Sequence, residues 1–410
     1  MNATQKDMKW FGKWRKQVLP DPAAQQAFAF QERLLAAQDQ LAPARTASRD
    51  RAISALLEMA RLQVPYYQDL LGDRDLSGVV PDTAAWAELP ILARGDLQSA
   101  GAALKARHLP AGYNATLVLR SSGSTGEPVE VTSTNITDHW QKVLALRATI
   151  WAQRDFSKSL GVIRKMKHSA APLPEGETFA HWAETAAFPF VTGPRHALNA
   201  LAGSTDAMFG WLVRKAPDYL LTYPSILSDL VDKAAGAGAV WRPRGIQTLG
   251  ETVEDDLRAR VKSVWGIGVN DVYSAQECGV IAIQCPSHGN YHIQTEVVHV
   301  DVIGDTGKPV APGQAGQVVV TTLANPATPL IRYAIGDHAV LGKPCACGRK
   351  GPVLARILGR ERNIMVTPQG RFWPSFGSRG FHEIAPITAM QFRQTAPLRL
   401  EMHFIASRAP

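Results

Sequence analysis

Long apolar runs are absent from this 410-residue sequence. No segment approaches the roughly 18 consecutive apolar residues that a membrane-spanning helix requires. The first 22 residues are basic, and they lack the apolar core and the small-residue cleavage site of a secretory signal. We therefore expect a cytoplasmic protein without a membrane span.

Cysteine is scarce as well. Only four cysteines occur, Cys278, Cys285, Cys345 and Cys347, and all lie in the last third of the chain. Disulfides do not persist in the reducing cytoplasm. The pattern therefore favours metal or thiol chemistry in one region over a disulfide framework.

The composition is that of a large globular protein. Hydrophobic residues make up 45% of the chain and charged residues 20%, which excludes long disorder. The length predicts more than one lobe. A net charge of +8 fits either attraction to anionic ligands such as nucleotides or coenzyme A, or a solvated basic surface. The basic residues are dispersed and carry no nucleic-acid motif, so we expect no nucleic-acid partner.

Hydrophobic periodicity divides the chain into regions. Apolar residues at three- and four-residue spacing predict helices over 22–72, and residues 115–134 indicate two strands joined by a loop. Strands and helices alternate from about 155 to 275, which is typical of parallel βαβ units. Beyond residue 279 strands dominate, with separate strands predicted for PLIRYAI, HAVLG, FWPS and LRLEMHFIA.

The loop between the first two predicted strands is SSGSTGEP, residues 121–128. Glycines let the backbone approach an anion closely, and hydroxyl and backbone N–H groups can hold phosphates. It is not a Walker A loop, because no Lys-Ser/Thr pair follows its last glycine. Alone, such a loop is more often a plain turn.

Four further motifs follow it in order: GET at 250–252, YSAQE at 273–277, RYAIGD at 332–337 and GRERN at 359–363. With the loop, they resemble the core motifs of the adenylate-forming superfamily, which includes acyl-CoA synthetases, peptide-synthetase adenylation domains and luciferases. More narrowly, VPYYQDL, ELPILARGDL, the RYxxGD followed by CxCGR, and FWPS resemble the phenylacetate-CoA ligase and CapK-like branch. The resemblance covers about residues 55 to 400.

The resemblance implies a role for each matched residue. Glu277 matches the carboxylate that holds Mg²⁺, Asp337 the acceptor for the ribose hydroxyls, and Arg360 the hinge arginine at the ribose and phosphate. Tyr273 and Gly250 match positions that flank adenine. The residues assigned to catalysis are Glu277, Arg360 and Thr125, and those assigned to the nucleotide are Ser121, Ser122, Gly123, Ser124, Thr125, Gly126, Gly250, Glu251, Tyr273, Ser274, Asp337 and Arg360.

The cysteines form a second group with metal-ligand chemistry. Cys285, Cys345 and Cys347, with His288 or His292, make a Cys₃His set that suits structural tetrahedral Zn²⁺. The alternative is free thiols in a β subdomain. The resemblance favours His292 as the fourth ligand. Cys278, beside Glu277, fits the lining of an acyl pocket or a small buried residue better than a fourth zinc ligand.

Toward its C-terminus the sequence departs from the superfamily pattern. Only 50 residues follow Arg360, against roughly 100 in the usual C-terminal domain, and no lysine occurs after Lys350. In the superfamily a lysine there bridges the carboxylate and the α-phosphate, so either the chain is truncated or the natural protein lacks that lysine. We expect slow adenylation, with Arg362 or Arg371 as candidate replacement cations.

Together these patterns predict an α/β fold with two domains. A large, multi-lobed adenylate-forming domain with mixed sheets spans 1–359, with a β subdomain at about 279–358, and a shortened α+β domain spans 360–410. The expected function is ATP- and Mg²⁺-dependent activation of an aryl or acyl carboxylic acid as acyl-AMP, followed by transfer to coenzyme A. Two alternatives stay open: transfer to an amine, carrier protein or sugar, and a degenerate nucleotide-binding protein. A homodimer is one assembly that the chain allows.

Overall fold

The structure of the chain is a computed structural model. It describes residues 1–38, 42–120, 129–166, 170–183, 188–201, 203–238, 240–374 and 387–406. The predicted phosphate loop, residues 121–128, lies outside the described residues. All other predicted site residues lie within them.

Ten α-helices occur in the described residues, and most begin at a recognisable signal. Thr134 and Ser204 cap α7 and α8 by accepting backbone N–H groups of the first turn, and proline is in the first turn of α2, α4 and α9. The helices are α1 (Ala3–Gly12), α2 (Pro22–Ala37), α3 (Ala42–Gln63), α4 (Pro65–Leu71), α5 (Ala84–Ala87), α6 (Arg94–Ala100), α7 (Asn135–Trp151), α8 (Thr205–Lys215), α9 (Pro224–Gly236) and α10 (Asp255–Trp265). The predicted helices over 22–72 are confirmed as α2, α3 and α4.

The first helix, α1, is not among the predicted elements. Asn2 and Gln5 form a capping box at its start, with each side chain accepting the other residue's backbone N–H. Phe11, at its last turn, stacks on Phe28 of α2 with ring centroids 4.3 Å apart. This short amphipathic helix packs on the core. Its many basic and polar residues make it difficult to recognise from the sequence.

The strands form one large mixed sheet and three hairpins. They are β1 (Ala115–Arg120), β2 (Glu130–Thr134), β3 (Leu160–Arg164), β4 (Glu177–Phe179), β5 (Arg195–Asn199), β6 (Tyr219–Thr222), β7 (Gly245–Leu249), β8 (Val269–Ala275), β9 (Gly279–Gln284), β10 (Tyr291–Ile293), β11 (Val298–Ile303), β12 (Ala315–Thr322), β13 (Tyr333–Leu341), β14 (Val353–Arg360), β15 (Met365–Thr367), β16 (Gly370–Phe372), β17 (Ile387–Ala396) and β18 (Arg399–Ala406). The large sheet has the order β11-β12-β13-β14-β10-β9-β8-β7-β6-β3-β5-β4. The hairpins are β1–β2, β15–β16 and β17–β18.

Five neighbouring strands of the large sheet are parallel, and the strands on either side of them pair antiparallel. Strands β5, β3, β6, β7 and β8 pair in parallel, with α8, α9 and α10 in the crossovers. Right-handed βαβ crossovers place helices on the faces of such a sheet. The predicted α/β class and the predicted βαβ alternation are confirmed. The strands from β8 to β14 pair antiparallel and extend the same sheet.

The parallel strands are covered on both faces. Tyr219 and Leu220 are neighbours on β6, and they pack into different hydrophobic clusters. Leu220 joins the cluster built by α8, α9 and α10, whereas Tyr219 joins the larger cluster under the N-terminal helices and α7. Successive side chains of a strand point to opposite faces, so the sheet is a central layer.

Two strand predictions need correction. PLIRYAI and HAVLG are not two strands, because β13 runs without a break from Tyr333 to Leu341 and the residues before it are irregular. Arg332, with φ +49°, turns the chain immediately before the strand. FWPS is not a strand as a whole, because β16 ends at Phe372. The hairpin at 115–134 and the strand in LRLEMHFIA are confirmed as β1–β2 and β18.

Among the described residues, no helix combines the length and the apolar character that crossing a bilayer requires.

Candidate active site and metal centre

Four residues predicted for nucleotide and magnesium chemistry meet at one place on the large sheet. Tyr273 lies on β8, Glu277 lies in the turn between β8 and β9, Asp337 lies on β13, and Arg360 ends β14. Asp337 and Arg360 are cross-strand partners in the β13–β14 ladder. Residues up to 87 positions apart in sequence therefore share one site, although β14, β10 and β9 lie between β13 and β8 in the order of the sheet.

Asp337 is held at both carboxylate oxygens. The Tyr273 hydroxyl donates to Oδ2 over 2.8 Å, and Arg360 Nε lies 3.0 Å from Oδ1. Arg360 is itself positioned by a second bond, from Nη1 to the Ile335 carbonyl at 2.9 Å. Burial raises the pKa of Asp337, and the Arg360 guanidinium and the Tyr273 hydroxyl oppose that rise. The carboxylate is thus fixed in orientation and flanked by a cation.

Glu277 forms an ion pair with a residue outside the five core motifs. Its Oε1 lies 3.0 Å from Nη1 of Arg94, the first residue of α6. The Glu277 side chain is only 7% exposed, against 31% for Arg94. The Tyr333 ring lies beside them, and burial raises the pKa of its hydroxyl, with Glu277 adding to the rise and Arg94 opposing it. ELPILARGDL contains Arg94, so the signal was present only as part of the resemblance.

Gly250 directly follows β7, and Tyr273 lies on the neighbouring strand β8. The two residues lie side by side, because the residues before them, Leu249 and Val272, are paired. Its φ of +80° favours glycine, and a Cβ there would lie 3.5 Å from the Tyr223 ring. Glu251 points elsewhere: its Oε2 accepts the Ser225 backbone N–H at the start of α9, 2.8 Å away. The structure therefore brings Gly250 to the site edge and uses the Glu251 side chain as a helix cap.

The two strands that flank the predicted phosphate loop are joined by an ion pair at the ends next to the loop. Arg120, the last residue of β1, pairs with Glu130, the first residue of β2, and its Nε lies 2.8 Å from Oε1. Ser274, the remaining predicted nucleotide residue, pairs with Val280 across the β8–β9 ladder. The loop residues, Thr125 among them, lie outside the described part of the chain.

The predicted Cys₃His set comes together as a buried cluster. The ligand atoms of Cys285, His292, Cys345 and Cys347 all lie within 4.8 Å of one another. Cys347 Sγ is 3.4 Å from His292 Nε2. The hydrogen bond from the Cys347 thiol lowers the pKa of Cys285, so a thiolate forms readily there. Three sulfurs and one imidazole nitrogen are a donor set that structural tetrahedral zinc sites use.

The two alternative fourth ligands are placed differently. His288 Nδ1 approaches only Cys285, at 3.9 Å from its Sγ, and is outside the described four-residue cluster. Cys278 lies with the carboxylate site, where burial raises the pKa of its thiol and the charges of Glu277 and Asp337 add to that rise. The geometry therefore supports His292 over both alternatives.

An arginine joins this cluster to the N-terminal helix. Arg349 Nη1 lies 3.7 Å from Sγ of both Cys285 and Cys347, and Nη2 lies 2.7 Å from Asp7 Oδ2 on α1. The guanidinium stacks on the Trp151 ring, 4.3 Å from its centroid. Arg349 entered the sequence analysis only as the last residue of the CxCGR motif, and Asp7, 342 positions away, was not singled out.

We predict that Asp7→Asn lowers the free energy of unfolding by about 3–5 kcal/mol, because breaking a buried ion pair leaves one charge uncompensated. The Asp7 and Arg349 side chains are 2% and 4% exposed. Urea unfolding measures the change. The control is Asp82→Asn, which removes one partner of the exposed Arg49–Asp82 pair and should change stability by less than about 1 kcal/mol. Equal stability of the two variants would contradict the prediction.

The chain is similar in sequence to phenylacetate-coenzyme A ligases. It is 26% identical over 368 residues to the enzyme of Aromatoleum evansii, covering 82% of this chain and 76% of the relative. It is 28% identical over 167 residues to the enzyme of Thermus thermophilus, covering 37% of this chain and 38% of that relative. No protein-family model matches the chain.

The fold is that of known adenylate-forming structures. A structure of 2-hydroxyisobutyryl-CoA ligase in an open conformation, in complex with 2-HIB-AMP and CoA, matches with a TM-score of 0.64 at 16% identity. The match covers 88% of this chain and 86% of that one. The sequence relatives and the fold together confirm the family resemblance predicted from the motifs.

Proposed function

We propose that this chain, a relative of the phenylacetate-CoA ligases with the adenylate-forming fold, activates a carboxylic acid with ATP and transfers the acyl group to coenzyme A. In the first step a carboxylate oxygen attacks the α-phosphorus, and pyrophosphate leaves. In the second, the coenzyme A thiol attacks the acyl carbon, and AMP leaves. The observation that carries the proposal is the convergence of Tyr273, Glu277, Asp337 and Arg360.

The nucleotide site follows from the hydrogen-bonding capacity of these residues. An ionised carboxylate accepts hydrogen bonds only, so Asp337 suits the two donor hydroxyls of a ribose. Its bonds to Tyr273 and Arg360 keep it oriented before the ligand arrives. Arg360 places a fixed cation beside the same position, where the α-phosphate would need one. Tyr273 offers a flat ring beside the adenine, and Gly250 lets the backbone approach the adenine closely.

Magnesium suits the carboxylate of Glu277. It is a hard cation that prefers oxygen ligands, and Glu277 offers a nearly buried carboxylate. When bound, Mg²⁺ supplies positive charge against the phosphate oxygens. Glu277 would hold it, the phosphate loop at 121–128 would supply hydroxyl and N–H donors, and Thr125 is the loop residue assigned to catalysis.

Zinc suits the second cluster, which we assign a structural role. The donor set of Cys285, His292, Cys345 and Cys347 leaves no position for a substrate, as in closed structural sites. Arg349 lies against two of the sulfurs and offsets the negative charge that three thiolates and one Zn²⁺ would leave. The cluster joins β9, β10 and the segment before β14, and α1 covers it through Asp7.

Product analysis tests both halves of the proposal. The chain is incubated with ATP, Mg²⁺ and a panel of aryl and alkyl carboxylic acids, with and without coenzyme A. Mass spectrometry should detect acyl-AMP without coenzyme A and a thioester with it. If acyl-AMP is abundant but no thioester forms, the chain activates the acid and transfers it to another acceptor, such as an amine or a carrier protein. Neither product with any acid would overturn the proposal.

We predict that Tyr273→Phe raises the dissociation constant of AMP by about tenfold. The hydroxyl holds Asp337 Oδ2, and a hydrogen bond to a charged group contributes about 1.5–3 kcal/mol. Isothermal titration calorimetry measures the change. The matched control is Tyr291→Phe, which removes a hydroxyl that donates to the buried Asp271 at 2.9 Å, outside the site. AMP affinity should then stay unchanged; equal losses in both variants would argue against the assignment.

A further inference from the structure

Arg94 is anchored to the sheet that carries the site. Two residues before it, Leu92 forms a parallel bridge with Tyr333, in which the Leu92 N–H donates to the Arg332 carbonyl and the Leu92 carbonyl accepts from Ala334. Leu92 is buried, and the Asp96 side chain accepts the Ala93 N–H at 2.8 Å. The backbone at Arg94 is therefore fixed against the start of β13, which carries Asp337 four residues on from Tyr333.

The guanidinium of Arg94 contacts Glu277 and is partly exposed to solvent. One nitrogen, Nη1, lies 3.0 Å from Glu277 Oε1. An arginine carries five N–H donors in a planar fork, and nearly a third of this side chain is exposed. The buried Tyr333 hydroxyl lies beside the same guanidinium: burial raises its pKa, and Arg94 opposes that rise. This corner of the site therefore holds a part-exposed cation between a nearly buried carboxylate and a buried phenol.

Charge balance makes the Arg94–Glu277 pair depend on what is bound. Glu277 is nearly buried, so its negative charge needs a compensating cation, and in this structure Arg94 is that cation. A divalent cation on Glu277 would replace that compensation and repel the guanidinium at such a short distance. Arginine forks match phosphate oxygens well, so the phosphates of a nucleotide bound with the cation would attract the released guanidinium.

We propose that Arg94 is a phosphate-binding residue that pairs with Glu277 when no nucleotide is bound and with the phosphates of Mg–ATP in the complex. The proposal rests on the proposed function and adds to it a residue outside the motifs assigned to the nucleotide. Arg371, one of the two candidate replacements for the lysine, pairs with Asp305, 2.7 Å away.

Substituting Arg94 should move two affinities in opposite directions. Arg94→Gln should raise the dissociation constant of Mg–ATP at least tenfold and leave that of adenosine within twofold. Binding of Mn²⁺ alone, followed by EPR, should become tighter, because the guanidinium no longer competes for Glu277. Arg94→Lys keeps the positive charge but removes the planar guanidinium, so it should retain the fold and give an intermediate Mg–ATP affinity.

The control is Asp96→Asn, which weakens the turn before α6 and leaves the cation in place. It should bind Mg–ATP within about threefold of the wild type. The proposal is overturned if Arg94→Gln binds Mg–ATP as tightly as the wild type, if Mn²⁺ and Mg–ATP binding weaken together, or if Asp96→Asn reproduces the loss. A wild-type chain that binds adenosine and not Mg–ATP would overturn it as well. A wild-type chain that binds neither would instead refute the proposed function.

Discussion

Glu277→Gln should reduce Mg²⁺-dependent acyl-AMP formation by about 10²- to 10³-fold, the cost of removing one preorganised charged group from a phosphoryl-transfer site. Glutamine keeps the size and one oxygen of the side chain but removes the charge that would hold the cation. Single-turnover formation of acyl-AMP, measured over a range of Mg²⁺ concentrations, tests this result. The lost rate should not return at high Mg²⁺ if the carboxylate is required for productive binding.

Glu296→Gln is the matched control for that experiment. Glu296 is also a glutamate paired with an arginine, since its Oε1 lies 2.9 Å from Arg147 Nη2, but it lies outside the proposed site. Its substitution should change stability and leave the rate of acyl-AMP formation near the wild-type value. Wild-type turnover in Glu277→Gln, or an equal loss in Glu296→Gln, would refute the role of Glu277.

Zinc should be present at about one atom per chain, and Cys345→Ser should remove it and destabilise the protein strongly. Ligand bonds in a structural zinc site contribute directly to the folding free energy, by about 10–16 kcal/mol in small zinc-binding peptides. A protein with a large core should lose less, but the loss should exceed the roughly 1–2 kcal/mol of an ordinary substitution. Metal analysis of protein purified without chelators and urea unfolding measure the two effects.

The chain contains its own controls for the zinc prediction. Cys278 is buried like the other cysteines but lies outside the cluster, so Cys278→Ser should keep the zinc. His292→Ala should lose it and His288→Ala should keep it, because only His292 belongs to the cluster. Zinc-free wild-type protein, together with equal stability of Cys345→Ser and Cys278→Ser, would contradict the assignment.

Local sequence signals predicted much of the fold. The parallel strands β6 and β7 and the helix α9 between them follow from two short apolar runs with a helical segment between them. The β1–β2 hairpin follows from a short apolar run before a small-residue loop and an alternating segment after it. These signals depend on neighbours in sequence, which is why they could be read without the structure.

What could not be predicted depends on distant contacts. The unbroken strand β13 replaces two predicted strands because β12 pairs with it on both sides of the Gly336 and Asp337 turn signal, with an irregularity in the register between them, and because its pairing with β14 begins at Asp337. The pairs Arg94–Glu277 and Arg349–Asp7 join residues 183 and 342 positions apart, and no periodicity or spacing rule connects them. The metal cluster was predictable because its residue types are rare in this chain and their chemistry is specific.

Exchange of labelled pyrophosphate into ATP, dependent on added carboxylic acid, tests the central claim most directly. The reaction reports reversible formation of acyl-AMP and does not depend on the final acyl acceptor. The account predicts exchange with at least one acid of an aryl and alkyl panel, requiring Mg²⁺ and lost in Glu277→Gln. Absence of exchange with every acid, in wild-type protein that is folded and zinc-loaded, would contradict it.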